Sequence, residues 1–380
     1  MPRSTFAFSN FTGGELSPRL DGRTDLQKYY QGCKTLENMV VHPHGGATRR
    51  PGTQFISEVK TSANTTRLIP FEFSTTQTYV LEFGNLYMRV HKDGGQVLEG
   101  NKTISAITKA NPAVVTANSH GYSNGDTVII TSVAGMTEVN GKTFLVADKT
   151  TNTFELQNVD GTDINSTNFT TYTSGGVVNK VFELTTPYTS SQVFDLKFAQ
   201  SADVMFMCHP LHEASKLSRT GHTSWTLDEI AFDGAALLDA NTTATTLTPA
   251  SASIGTSVNI TASATTGINN DLGWLATDVG RTIKFNSGVA KITARTNATV
   301  AVCTITTAFA NTNATASFQL GAFSDTTGHP SCVTFFEQRL VFAATVSNPQ
   351  TIFFSQSGDF ENFTTGTNAS DGMKFTIGSD

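Results

Sequence analysis

Short apolar stretches that end in tight polar turns recur in three blocks along the chain. The stretches are rich in aromatic and β-branched residues, and turns such as Gly84-Asn85 and Asp93-Gly94-Gly95 separate them, which predicts short β-strands. The predicted strands are 68–73, 78–83 and 86–91 in the first block, 193–200, 204–208 and 214–217 in the second, and 333–336, 339–343 and 351–355 in the third. A strand that carries Trp225 follows the second block.

The blocks recur at a nearly constant spacing. Pro70, Leu196 and Thr334 are comparable points that lie 126 and 138 positions apart, and removal of 76 and 86 inserted residues leaves 50 and 52. A β-propeller blade is a unit of about 40 to 50 residues with several short strands. We therefore predict an all-β chain with a partial β-propeller-like body. Three unrelated meanders in a β-sandwich protein are the alternative.

Two segments rich in small polar residues, 103–178 and 236–321, interrupt the blocks. The first has predicted strands at 104–110, 113–117, 127–131, 144–147 and 153–156, and the second at 258–263, 278–284, 289–296 and 299–306. Alternation of polar and apolar residues favours small β-barrels or sandwiches with one apolar face. We predict two inserted modules that project outward from the loops of the body.

The first 55 residues follow neither pattern. Gly and Pro punctuate them too densely for a long helix, and little is core-like before Leu36. We predict an extended N-terminal arm that packs on the rest of its chain or on another subunit. The predicted organisation is an arm at 1–60, blades at 61–102, 179–235 and 322–380, and modules at 103–178 and 236–321.

Composition and charge narrow the function classes. Only 15% of the residues are charged, which is low for a cytosolic enzyme and typical of extracellular or virion β-proteins. Residues 1–60 hold eight Lys or Arg against five Asp or Glu and so carry a net charge of +3. Because the whole chain has a net charge of −6, the remaining residues carry −9. Proteins that grip duplex DNA are usually basic, so we expect no such grip here. The sequence contains no run of eighteen apolar residues, so no membrane span is predicted.

The four cysteines, Cys33, Cys208, Cys303 and Cys332, have spacings that fit neither a zinc site nor a Cys-x-x-Cys motif. We predict four free, largely buried thiols, with a structural disulfide as the less favoured alternative.

For the candidate catalytic and metal-binding motifs, a structural interpretation is favoured over a functional one. Gly121-Tyr122-Ser123-Asn124-Gly125 matches a nucleophile elbow, but a strand rather than a helix is predicted after it. We therefore interpret it as a turn.

Two histidine motifs and one aspartate motif carry metal-capable atoms. These are His42-Pro43-His44, Cys208-His209-Pro210-Leu211-His212, and Asp160-Gly161-Thr162-Asp163. A third ligand or the ligand spacing of a known site is missing in each, so we interpret all three as turns. Glu337, Asp359 and Glu361 form the paired-carboxylate candidate for glycoside hydrolysis. We expect no catalytic set, cofactor or metal.

Three pieces of the arm, 11–19, 38–41 and 45–53, carry a family resemblance. They read Phe-Thr-Gly-Gly-Glu-Leu-Ser-Pro-Arg, Asn-Met-Val-Val and Gly-Gly-Ala-Thr-Arg-Arg-Pro-Gly-Thr, and they resemble the N-terminus of the nozzle protein, or tail tubular protein B, of short-tailed bacteriophages. The resemblance marks an assembly motif made of Gly13, Gly14, Glu15, Leu16, Ser17, Pro18, Arg19, Asn38, Gly45, Gly46, Arg49, Arg50, Pro51, Gly52 and Thr53.

The resemblance implies a non-enzymatic structural protein of the virion tail, made in the bacterial cytoplasm. Its expected partners are further copies of itself in a hexameric ring, the tail adaptor protein above it, tail fibres at its flank, and DNA that passes through the lumen without sequence-specific binding. Contact of Arg49 and Arg50 with neighbouring tail protein is favoured over contact with DNA phosphates. Because nozzle proteins are usually longer, we expect either a truncated chain or a ring of blades that closes differently. The alternative function is a propeller-type tail protein that binds or cleaves host surface glycans.

The first inserted module resembles a second family. The turn at 119–126 and the strands after it are similar to the β-barrel module named after the first catalytic cysteine half-domain (FCCH) of ubiquitin-activating enzymes. This resemblance covers 104–177 and implies a fold rather than ubiquitin chemistry, since the segment contains no cysteine.

Overall fold

A computed structural model describes residues 10–74 and 77–378, and it confirms the all-β prediction. Strands dominate these residues, and the helices among them are four short 3-10 turns. No helix in this described part of the chain has the length and apolarity needed to cross a bilayer. The chain divides into two compact units, Met1–Ile56 and Ser57–Asp380.

The first unit, called the arm below, contains four very short strands and two 3-10 turns. Its strands are β1 (Gly14–Glu15), β2 (Gly32–Cys33), β3 (Met39–Val41) and β4 (Ala47–Arg49), and its 3-10 turns are Pro18–Leu20 and Gln27–Gln31. β1 and β2 pair in parallel, whereas β3 and β4 form an antiparallel hairpin. Residues 1–9 of the predicted arm lie outside the described residues.

The second unit begins with a sheet, called blade 1, that matches the first predicted block. Its first four strands are β5 (Arg67–Ser74), β6 (Gln77–Gly84), β7 (Tyr87–Lys92) and β8 (Gly95–Gln96), all antiparallel to their neighbours. Ile69 faces Leu81 across β5 and β6, and Phe71 faces Tyr79, so every second residue points to the same buried side.

The first inserted module is a curled seven-stranded sheet. Its strands are β9 (Leu98–Thr103), β10 (Ala106–Ile107), β11 (Val114–Thr116), β12 (Thr127–Ala134), β13 (Lys142–Ala147), β14 (Thr153–Gln157) and β15 (Ser174–Val181), with a 3-10 turn at Thr137–Val139. They pair in the order β10-β11-β14-β13-β12-β15-β9 around a core of their own. The chain then returns to blade 1 as β16 (Glu183–Thr185), which pairs with β7 beside β8. The module therefore emerges between two halves of the outer strand of blade 1.

Blade 2 is a four-stranded antiparallel meander with both faces covered. Its strands are β17 (Lys197–Ser201), β18 (Val204–His209), β19 (His212–Gly221) and β20 (Ser224–Glu229). Met205 and Met207 of β18 lie in one apolar cluster with blade 1, and Phe206 and Cys208 lie in another cluster with the third block. A strand with this unbroken apolar run is buried on both sides.

The second module is a six-stranded antiparallel sheet with a buried ion pair. Its strands are β21 (Leu247–Pro249), β22 (Gly255–Ala262), β23 (Thr282–Phe285), β24 (Gly288–Arg295), β25 (Val300–Thr307) and β26 (Phe318–Leu320), with a 3-10 turn at Ala276–Asp278. Asp278 and Arg281 are buried and bonded at 2.9 Å. Leu237 and Gly321 form a β-bridge where the chain enters and leaves the module.

Blade 3 is the third antiparallel meander. Its strands are β27 (Cys332–Phe336), β28 (Arg339–Ala343), β29 (Thr351–Phe354) and β30 (Met373–Thr376). Leu340, Phe342 and Phe353 pack against Phe206 of blade 2. The three blades therefore stack face to face, as predicted for a propeller-like body, and the two modules extend from the connections.

Three predicted strand boundaries are wrong for physical reasons. The strand expected at 193–200 begins only at Lys197, because Val193 and Leu196 are buried within a turn rather than a strand. The strand expected at 278–284 begins at Thr282, because the Asp278 carboxylate accepts the Leu275 N–H at 2.8 Å and holds a 3-10 turn. The strand expected at 104–110 reduces to β10.

Candidate functional site

The first piece of the arm motif contains β1, which pairs in parallel with β2. The Gly13 N–H donates to the Gln31 carbonyl at 2.8 Å. A Cβ at position 13 would lie 2.9 Å from that same oxygen, so only glycine allows this approach. The Glu15 carboxylate accepts the Leu36 N–H at 2.9 Å and so anchors the segment that leads into β3.

The end of this piece is a capped turn. Leu16 donates its N–H to the Cys33 carbonyl at 2.9 Å. Ser17 then caps a 3-10 turn, because its side chain accepts the Arg19 N–H. Pro18 occupies the first position of the turn, where a missing N–H removes no internal bond.

Asn38 and Arg50 join the second and third pieces of the motif. Asn38 adopts a left-handed conformation with φ of 58°. Its side-chain oxygen accepts a hydrogen bond from Arg50 Nε at 2.7 Å, and its carbonyl accepts the Arg50 N–H at 3.0 Å. The β3–β4 hairpin is therefore closed by two motif residues that are twelve positions apart.

Gly45 joins the first and third pieces. It is buried at the hairpin turn with φ of 102°, a conformation that side chains rarely adopt. Its carbonyl accepts the Phe11 N–H at 2.8 Å, and the Gly46 carbonyl accepts the His42 N–H at 2.8 Å. The structure thus brings together the starts of two motif pieces that are more than thirty residues apart.

The remaining motif residues lie on the surface. Pro51, Gly52 and Thr53 are exposed and belong to no strand. Arg19 and Arg49 are exposed and have no ion-pair partner among the described residues. By contrast, Arg23 forms a two-pronged ion pair with Asp25 at 2.7 and 2.8 Å. The arm therefore presents two guanidinium groups that an external carboxylate or phosphate could bind.

The arm lacks a hydrophobic core within its described residues. In 10–56 the only buried positions are two glycines, whereas apolar side chains such as Tyr30, Met39, Val40 and Phe55 are exposed, Phe55 by 76%. Ordering a backbone residue costs about 1–2 kcal/mol, which backbone hydrogen bonds alone offset poorly. We infer that this unit needs an external surface for stability.

The His42 and His44 rings stack at 5.2 Å beside the hairpin turn. His42 Nε2 is bonded to the Thr48 hydroxyl at 2.9 Å. No group of three or more His, Cys, Asp or Glu side chains is arranged to hold a metal ion in the described part of the chain.

A second candidate site lies at the end of blade 2, where sequence reasoning had not placed one. Glu213 on β19 and Glu229 on β20 line a cleft of about 400 Å³ together with Thr185, His212 and Ser215. Burial and the nearby Glu229 carboxylate raise the pKa of Glu213 above its ordinary value, against the opposing charges of Lys291 and His329. A raised carboxyl pKa in a cleft suits a proton donor.

Glu213 also lines a cavity of about 460 Å³ between blade 2 and the second module. Lys291 and the buried imidazole of His329 share this cavity, and His329 Nε2 is bonded to Asp325 at 2.9 Å. The cleft and the cavity therefore meet at one carboxyl group. The register of the β19–β20 hairpin pairs Ser215 with Glu229, and no local sequence pattern specifies this register.

A second histidine, His209, lies beside His212 of the cleft. The His209 and His212 rings are 5.0 Å apart, and burial lowers the pKa of both side chains. His209 Nδ1 accepts the Leu211 N–H, and its buried Nε2 has no hydrogen-bond partner. His212 Nε2 is bonded to the Gln192 side chain at 3.0 Å. Burial therefore favours the neutral form of both imidazoles.

The carboxylates proposed from the sequence for glycoside hydrolysis have other roles. Glu361 forms an ion pair with Lys216 at 2.6 Å. Glu337 is exposed in the β27–β28 turn with φ of 44°, and Asp359 lies in a turn bridged to Gln356.

The turn interpretations of the other motifs agree with the observed geometry. The segment around Ser123 is a turn in which the Asp126 carboxylate accepts the Ser123 N–H. Strand β12 rather than a helix follows it. Asp160 caps Thr162 in a similar turn. β18 ends at His209, and Pro210 lies in the turn that follows.

The cysteines are free thiols, but the expectation that they are largely buried is wrong for one of them. Cys208 and Cys303 are buried, and burial raises the pKa of each thiol to about 12. Cys33 is half-buried. Cys332 is exposed, because it lies on the outer face of blade 3, which no other sheet covers.

Comparison with known protein families finds a match for one part of the chain. Residues 110–181 match the model of the ubiquitin-activating enzyme E1 FCCH domain. The match covers strands β11 to β15 of the first module, where a resemblance to that domain was expected over 104–177.

Two further comparisons concern the chain as a whole. No curated protein matches the chain. Among solved structures, the phage phi92 endosialidase aligns with 84% of this chain at 10% identity and a TM-score of 0.16, and the chain spans 59% of the length of that structure. A score this low supports no inference about fold or activity. The comparisons therefore show that one segment of this chain is similar to the FCCH domain.

Proposed function

We propose that this chain is a structural subunit of a short phage tail, a nozzle-type subunit that forms part of the conduit for DNA. The observation that carries the proposal is the arm, in which a motif resembling that of nozzle proteins forms a hydrogen-bonded unit without a hydrophobic core. A segment of this kind gains stability when it packs against another surface, as an assembly element does.

The body is compatible with this role. Stacked blades provide a rigid wall, and modules on their connections can meet neighbouring tail proteins without disturbing the wall. The chain beyond residue 60 carries a net −9, so DNA would pass it without being gripped. Copies in a ring, an adaptor protein above the ring and fibres at its flank are the partners that this role requires.

Electron microscopy of the purified full-length protein tests the proposal. We expect rings with a central pore. Monomers, or closed particles without a pore, would contradict it.

Variants of the arm test which charges contribute to assembly. Arg19→Gln with Arg49→Gln should raise the concentration needed for ring formation by about 10- to 100-fold, since charged hydrogen bonds contribute about 1.5–3 kcal/mol. Arg23→Gln is the matched control, because Asp25 already neutralises Arg23 within the arm. Equal effects of the two changes would show that the unpaired arginines have no special role.

A second candidate function is binding or cleavage of host surface glycans. The specific observation that favours it is the Glu213–Glu229 pair in the cleft of blade 2. Paired carboxyl groups with unlike environments are the machinery of glycoside hydrolysis.

Hydrolysis assays on bacterial surface polysaccharides test this candidate. Glu213→Gln and Glu229→Gln should each abolish release of reducing ends, whereas Glu337→Gln, an exposed carboxylate in a turn, should not. If the wild-type protein neither binds nor hydrolyses these polysaccharides, the glycan candidate is eliminated and the structural role is unaffected.

A further inference from the structure

The outer face of blade 3 is an uncovered aromatic surface. Phe336, Phe354 and Phe375 lie on adjacent parts of this face, with ring centroids 6.4 and 5.9 Å apart in edge-to-face contact. Phe336 is 56% exposed and Phe375 is 55% exposed. An exposed apolar patch of this kind marks an interaction site more often than a solvated surface.

The same sheet shows what normally covers such a face. The opposite side of blade 3 carries Leu340, Phe342 and Phe353, which are buried against blade 2. Blade 2 is covered on both faces, by blade 1 and by blade 3. Each apolar sheet face within the stack is therefore covered by a neighbouring blade, and the aromatic face continues this series of interfaces.

The other end of the stack also carries an uncovered apolar strip. On the outer face of blade 1, Leu68 is 62% exposed, Val80 is 41% exposed, and Pro70 pairs directly with Val80 across β5 and β6. The remainder of that face is filled by a polar network in which Arg89 is bonded to Glu183 and to Thr127 of the first module. Only the β5–β6 strip is therefore free to receive another sheet.

We propose that the Phe336–Phe354–Phe375 face of one copy of this chain docks on the Leu68–Pro70–Val80 strip of a second copy. The two surfaces lie at opposite ends of one stack and differ in shape, one aromatic and one aliphatic, so their union is head to tail. Head-to-tail interfaces close into rings or grow into filaments. The inference rests on the proposed tail role, and it names the surfaces that would join the subunits of the ring.

Complementary surface variants test the docking. Phe336→Glu with Phe375→Glu removes one surface, and Leu68→Glu with Val80→Glu removes the other. Leu211→Glu is the matched control, since Leu211 is exposed in a turn of blade 2 away from both surfaces. Light scattering after gel filtration gives the mass, and Trp225 fluorescence verifies that each variant is folded.

The wild type and the control should form assemblies larger than dimers, and each double variant alone should be monomeric. An equimolar mixture of the two double variants should form a dimer with one copy of each, because one intact interface remains. Retention of the wild-type mass by either double variant, or a mixture that stays monomeric, would overturn the docking.

Accessibility of Cys332 provides a second measurement that does not depend on a destabilising change. In a Cys33→Ser background with both docking surfaces intact, maleimide labelling of Cys332 should slow at least tenfold as the protein assembles, because this thiol lies on the docked face. Unchanged labelling in the assembled protein would contradict the docking.

The outcomes separate the docking from the tail role. Pored rings that survive both double variants but require the arm would refute the docking alone. Head-to-tail filaments without a pore would support the docking and refute the nozzle role.

Discussion

At the scale of single residues, Glu82 shows how a buried charge is retained in blade 1. Its carboxylate accepts hydrogen bonds from Tyr87 at 2.6 Å and from His91 at 2.9 Å. Burial alone would raise the pKa of Glu82, but the hydrogen bonds from His91 and Tyr87 and the charge of Arg89 outweigh it and lower that pKa. A lowered pKa in the folded state stabilises the fold above the unfolded value of about 4.3, and this stability is lost as pH falls through the folded value.

Replacement of Glu82 tests this account. Glu82→Gln should lower the free energy of unfolding by about 1–3 kcal/mol at about pH 7, since it leaves buried donors poorly matched. The loss of stability between about pH 4.5 and more acid values should also become shallower than in the wild type. Urea unfolding followed by Trp225 fluorescence in a Trp274→Phe background measures both effects.

Glu72→Gln is the control for this replacement, because Glu72 is exposed on the same face. It should change stability by no more than about 0.5 kcal/mol. An identical pH dependence in the wild type and Glu82→Gln would show that Glu82 does not contribute to acid sensitivity.

At the scale of elements, β18 connects the three blades through both of its faces. Met205 and Met207 pack toward blade 1, while Phe206 contacts Phe335 and Phe360 of the third block at 5.8 and 5.9 Å. Neighbouring residues of one strand therefore stabilise different interfaces, since successive side chains point to opposite faces.

Removal of one of these side chains should loosen one interface selectively. Phe206→Ala should cost about 3–5 kcal/mol and increase amide exchange in β27–β30, while β5–β7 stay protected. Thr226→Ala, an exposed change on β20, should leave both sheets unchanged. Hydrogen–deuterium exchange with mass spectrometry makes the comparison, and equal deprotection of both sheets would contradict separate interfaces.

The element boundaries show what the sequence could and could not predict. Apolar periodicity located nearly every strand of the blades, because alternate burial is a local property of a strand. It placed the start of β17 at Val193 instead of Lys197, since it detects burial and not backbone conformation. It also missed the 3-10 turn at Ala276–Asp278, because periodicity does not detect a cap such as the Asp278 carboxylate, which accepts the Leu275 N–H.

At the scale of the whole molecule, the body has four buried apolar clusters and the described arm has none. Folding of the body should therefore not depend on the arm. The motif residues of the arm were recognisable from the sequence, but the Phe11–Gly45 and Asn38–Arg50 bonds and the Glu213–Glu229 pair were not. Those contacts join residues through tertiary turns and registers that no local pattern specifies.

Deletion of residues 1–51 tests the division of roles. The shortened protein should keep its β circular dichroism and thermal midpoint within a few degrees, yet lose ring formation completely. Light scattering and electron microscopy measure the loss. Intact rings after the deletion would refute the assembly role of the arm, and an unfolded product would show that the body depends on it.

The attachment of the first module also has a mechanical consequence. Leu98 of β9 faces Val181 of β15, so the two chain ends of the module leave side by side. Tension along the chain pulls these ends apart perpendicular to the strands. The hydrogen-bonded pairs of the β9–β15 ladder then break one after another rather than all at once. The module can extend by roughly 280 Å, at about 3.4 Å for each of residues 98–181, while the blade stack stays closed. The first module would therefore yield before the blade stack when the chain is pulled.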